Sequence, residues 1–144
     1  MAEKTTKIHE FDPLLYPTRI WVGVNVPYKE ASEKFYALLS DGSIADFEEA
    51  VENQGCTPIA TCYPVRDKES GWRGIFCHIK RPKLASVGVT AHEAEHIVCW
   101  ICEQFGIQSV TFDDSEPRAY LMQWAANCIY DVLKGKVLQR IKDT

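Results

Sequence analysis

The chain has 144 residues, with 16 Lys and Arg against 20 Asp and Glu, a formal net charge of −4. That length predicts one domain, 1–144, large enough to bury an ordinary core without metal or disulfide staples. Charged residues at 25% and hydrophobic residues at 46% exclude a disordered chain, and the acidic balance argues against a nucleic-acid module that works through bulk charge.

Residues 1–18 are polar, carry Pro13 and Pro17, and read as an N-terminal arm. Arg19 to Val26 is β-branched and aromatic, a strand ended by Pro27. Ala31, Phe35, Leu38 and Leu39 fit one face of a helix from Lys29 to Leu39, broken by Asp41 and Gly42. Ser43 is the expected N-cap of a second short helix ending near Gln54, with Gly55 as its stop. Ile59 to Val65 reads as a strand in which Pro64 marks an edge or an early end. A turn at Asp67–Gly71 joins it to a strand from Trp72 to Ile79, giving an antiparallel hairpin closed by Pro82. Ser86 to Phe105 is a long helix stopped by Gly106. Asp113, Asp114 and Ser115 supply cap chemistry for a last helix, with Pro117 in its first turn and Gly135 as its end. Tyr120, Trp124, Cys128 and Leu133 are its expected inward positions. The fold class is α+β, a small antiparallel or mixed sheet packed on helices.

No run approaches the roughly 18 apolar residues of a membrane span. The first residues lack the apolar stretch of a secretory signal, so the expected setting is cytoplasmic, with no membrane partner. Six cysteines (Cys56, Cys62, Cys77, Cys99, Cys102, Cys128) are then expected as reduced thiols. Cys99 and Cys102 have CxxC spacing but lie inside an apolar helical run, and no second CxxC completes a four-thiolate zinc site.

The long helix carries His92, Glu93 and His96, an HExxH pattern. Residues four apart share a helix face, so both imidazoles point the same way and can hold one zinc ion. Glu93 then sits beside the metal without needing to bind it, where a carboxylate can take a proton from an attacking water. A third ligand is available in Glu116, twenty residues after His96 at the start of the next helix. The loop after Gly106 allows that helix to fold back.

His92, Glu93, His96 and Glu116 resemble the gluzincin branch of the zincin metallopeptidases, over roughly residues 72–130. The resemblance implies a minimal zincin-like domain with an HExxH active-site helix. It implies zinc on His92, His96 and Glu116, Glu93 as general base, and hydrolysis of a peptide or protein substrate. An edge strand would hold that substrate by β-augmentation, and Trp72 to Ile79, which includes His78, is the expected strand. Where the family has an aspartate one turn after the third ligand, this chain has Tyr120, whose hydroxyl would orient a histidine or donate to an oxyanion. Glu95 before the second histidine also departs from the pattern. These departures support an alternative, a catalytically inactive zincin-like binding or regulatory protein of phage or mobile-element type. A metal-free interaction protein is the plainest reading, with Thr90 and Glu93 as a helix capping box.

Overall fold

The computed structural model describes residues 7–52, 58–108 and 111–135. Along them run β1 (Ile8–Phe11), β2 (Arg19–Val24), α1 (Tyr28–Lys34), β3 (Phe35–Leu38), β4 (Ile44–Asp46), α2 (Phe47–Val51), β5 (Ala60–Asp67), β6 (Arg73–Ile79), α3 (Val87–Phe105) and α4 (Glu116–Leu133). The strands form one mixed sheet in the order β1-β2-β6-β5-β3-β4, in which only β2 and β6 are parallel neighbours. The α+β class is therefore as expected, with a six-stranded mixed sheet and four α-helices among the described residues. No described helix is long and apolar enough to cross a membrane.

Alternation along the strands sends side chains to two cores. Ile20, Val22, Ile75, Cys77 and Ile79 meet Ala94, Ile97, Val98 and Ile101 of α3 and Leu121, Ala125 and Ile129 of α4. Trp21, Tyr63, Val65 and Phe76 meet Phe35, Phe47 and Val51 on the other face, with α1 and α2. The sheet is thus the middle of three layers, and α3 and α4 cover the face that carries the histidine pair.

Four expectations change. Ile8–Phe11, read as part of an arm, is an edge strand paired with β2 from Ile8↔Gly23 to Phe11↔Ile20. The helix expected to Leu39 stops at Lys34, because Phe35 and Ala37 gain more by alternating into the aromatic core as β3. There Phe35 lies 5.0 Å from the Trp21 ring and 5.1 Å from the Phe76 ring. Asp46, not Ser43, caps the second short helix, accepting from Glu49 N–H at 3.0 Å, and the expected end at Gln54 and Gly55 lies outside the described residues. Of the four inward positions expected on the last helix, Tyr120 is 66% exposed, and Leu121, Ala125, Cys128 and Ile129 form the buried stripe.

α3 matches its expected limits. Ser86 accepts from Val89 N–H at 3.2 Å, and Gly106 closes the helix with a left-handed φ of 66°. Thr90 lies inside the helix and donates its hydroxyl to the Ser86 carbonyl, so Thr90 and Glu93 do not form a capping box.

Candidate metal centre

α3 buries Ala94, Ile97, Val98 and Ile101, and this stripe fixes its rotation. His92 and His96 consequently emerge on an exposed side of the helix. Their Nε2 atoms are 3.2 Å apart and their rings stand at 78°. Bonds of 2.0–2.1 Å to one tetrahedral ion would separate two ligand nitrogens by about 3.3 Å. The pair therefore fits a single divalent ion. The same distance suits an N–H···N hydrogen bond, with the tautomers deciding which ring donates.

Glu93 is 5% exposed, one position round the helix toward the sheet. A carboxylate oxygen of Glu93 and a ring nitrogen of each histidine all lie within 4.8 Å of one another. Two imidazoles and a carboxylate are donors that zinc accepts, so the residues present fit the ion the motif implies. The three side chains line a cleft of about 370 Å³ with Ala60, Cys62 and Pro64 of β5 and with Cys99 and Glu103 of α3.

Glu116 and Tyr120 are not gathered into this cleft. Arg118 of α4 reaches across to α3, where its guanidinium pairs with Glu95 and lies 3.5 Å from the Cys99 sulfur and 3.6 Å from that of Cys102. Glu116 is two residues earlier and so turned about 200° away from Arg118, and Tyr120 is two residues later and turned as far. Both are exposed, and neither lines the cleft. Glu116 also stands outside every cluster of three potential ligand atoms among the described residues. Glu95, read only as a departure from a motif, has a partner in Arg118. That partner holds the start of α4 against α3, and the pairing of charges twenty-three residues apart was not readable from spacing.

The expected substrate strand is also different. β6 is paired on both sides, by β2 and β5, so it has no free edge. Among the described residues, the free edge beside the histidines belongs to β5. Its pairing with β3 covers only Val65, Arg66 and Asp67, which leaves 60–64 uncovered. Ile59 directs its carbonyl to β6, accepting from Lys80 N–H at 2.9 Å. By alternation, Ala60, Cys62 and Pro64 direct their backbone groups outward. Pro64 has no N–H to leave unpaired, which is why proline fits that position. His78 is on the opposite face from the cleft, where it accepts from Val26 N–H at 3.0 Å and stacks on Phe76. Burial depresses its pKa from 6.5 to about 4, so it is a neutral core residue.

Behind Glu93 lie two thiols that the sequence reading treated as ordinary. Cys62 and Cys77 are direct cross-strand partners, and their sulfurs and a Glu93 carboxylate oxygen lie within 4.8 Å of one another. The neighbouring Cys77 thiol, then burial, then Glu93 push the Cys62 thiol well above its usual pKa. The turn expected at Asp67–Gly71 is centred on Glu69 and would pair positions that sum to 138, so the structure sets the register one residue away. A hairpin turning between residues 69 and 70 pairs positions that sum to 139, and 62 and 77 do.

These features define an α+β protein with a histidine-pair site on the third helix. Comparison with protein-family models, with curated proteins and with solved structures finds no significant match to the chain.

Proposed function

We propose that the chain is a small zinc-dependent peptidase of zincin-like, gluzincin type, acting in the cytoplasm on a peptide or protein substrate rather than on nucleic acid or membrane. The observation that carries this reading is the 3.2 Å spacing of the His92 and His96 Nε2 atoms with the Glu93 carboxylate beside them. His92 and His96 would hold the ion. Bound there, zinc would supply Lewis-acid polarisation of a carbonyl and a lowered pKa for water. Glu93 takes a proton from the attacking water and returns it to the departing amine. Its burial shields that proton from bulk solvent. The outward N–H and C=O groups of Ala60 and Cys62 hold an extended peptide along the β5 edge. Glu116, the third ligand that the resemblance implies, is exposed and outside the cleft, so His92 and His96 are the residues that would hold the ion here.

The outward direction of Glu116 and Tyr120 favours a second reading, a metal-binding module of the same architecture without peptidase activity. The two separate in one experiment. Wild type and Glu93→Gln are compared on a mixed peptide library, with and without chelator. The peptidase reading expects chelator-sensitive turnover that falls about 10²- to 10⁴-fold in Glu93→Gln. Equal turnover in both proteins overturns it. No turnover by a wild type that binds an ion lost in His92→Ala selects the second reading.

A further inference from the structure

The β5–β6 hairpin brings two sulfurs and a buried carboxylate to one point. Ile59 bonds toward β6 and Cys62 stands three positions on, so Cys62 and Cys77 form a non-hydrogen-bonded pair of the ladder. Such pairs have the shorter Cα separation, about 4.5 Å, and the closer side chains. α3 closes over them, with the Cys62 thiol 3.5 Å from the Glu93 carbonyl.

The Glu93 side chain adds a second and independent observation. It is 95% removed from solvent and its Oε2 has no hydrogen-bond partner. None of the ion pairs among the described residues includes it. A buried carboxylate without a cation is costly, and the groups facing it are two potential thiolates. Without metal the set stays neutral at sulfur, and a divalent cation that displaces the thiol protons would satisfy both sulfurs and the carboxylate at once.

We propose that Cys62, Cys77 and Glu93 form a second metal site, behind the histidine pair, for a thiophilic divalent ion such as Zn²⁺, Co²⁺ or Cd²⁺. Binding replaces the two thiol protons, which leave to solvent, with two metal–sulfur bonds, and no oxidant or reductant is needed. Cys62 lines the cleft and supplies the entry path, while Cys77 is fully buried. Three protein ligands leave one position toward the cleft. The site stands on the hairpin register and on Glu93 alone. Its consequence for activity rests on the peptidase reading, because an ion here draws the Glu93 carboxylate off the histidine pair. Thiophilic ions in excess would then inhibit.

The test is a Co²⁺ titration of the full chain, stripped by chelator and kept reduced with a phosphine. It reads ions per chain and the near-ultraviolet thiolate-to-cobalt charge-transfer band. Wild type is expected to bind two ions and show the band. Cys62→Ala, at a half-buried strand edge, is expected to lose the band and one ion, and Cys77→Ala to do the same. Cys99→Ser with Cys102→Ser should leave the band intact. His92→Ala with His96→Ala should keep the band and lose the other ion. Circular dichroism on each variant checks the fold. A wild type without the band overturns the proposal, as does a band that survives both Cys62→Ala and Cys77→Ala. Two thiols that only fill the core would give the first of these results. A wild type that binds one ion, with the band, upholds this site and removes the ion from the histidine pair.

Discussion

Glu93 faces two ways. Toward solvent it stands with His92 and His96, and toward the sheet with Cys62 and Cys77. Its burial without a partner for Oε2 makes the charge a cost to the metal-free fold. Glu93→Gln keeps the shape and removes the charge. In chelator it should therefore unfold at the same or a higher temperature than wild type, and a clear drop in a melting experiment would show that the charge is satisfied. His78 is buried as a neutral imidazole without an ion-pair partner among the described residues. Its folded pKa of about 4 lies below the unfolded value of 6.5, so the unfolded chain takes up the proton first as pH falls. Stability is whole above pH 6.5, is lost progressively down to about 4, and the loss amounts to at most roughly 3 kcal/mol. Denaturant unfolding from pH 7 to 4 should show this slope in wild type, and His78→Gln should flatten it.

The elements differ in how openly the sequence states them. α3 was legible because cap, apolar stripe and terminal glycine agree, from Ser86 through Ile97 and Ile101 to Gly106. β3 was not, since four residues following a helix carry no period of their own. Phe35 and Ala37 become a strand through contacts with β5 and the aromatic core. β1 was hidden for the same reason, its four residues being defined by β2. In β2 and β6, closeness depends on Gly74, where an added Cβ would stand 1.8 Å from the Arg19 carbonyl oxygen. Gly74→Ala must push the parallel pair apart, and a loss of about 3 kcal/mol or more is expected by denaturant titration. β5 offers a paired comparison. Ala60→Pro removes an N–H that faces the free edge, so stability should change by less than about 1 kcal/mol while peptide KM rises. Thr61→Pro removes an N–H bonded to β6 and should cost about 3 kcal/mol. Equal effects of the two prolines would mean that the edge is not where substrate sits.

At the scale of the whole molecule, the sheet is a platform and the site is where α3 crosses the uncovered part of β5. The HExxH core of the site was legible, because i and i+4 on a helix need no tertiary knowledge. The direction of Glu116 was not, because it depends on the rotation of α4. That rotation is set by Leu121, Ala125 and Ile129 and by Arg118 on Glu95, interactions that spacing does not encode. The thiol pair was not legible, because a turn centred on Glu69 sets the hairpin register one residue away from the Cys62↔Cys77 pairing. The central claim is that His92 and His96 hold one divalent ion. It is tested most directly by equilibrium dialysis of Zn²⁺ against the chain carrying Cys62→Ala and Cys77→Ala, with and without His92→Ala. The predicted result is one ion per chain, weakened at least tenfold by His92→Ala. No bound ion, or an affinity that His92→Ala leaves unchanged, would contradict it.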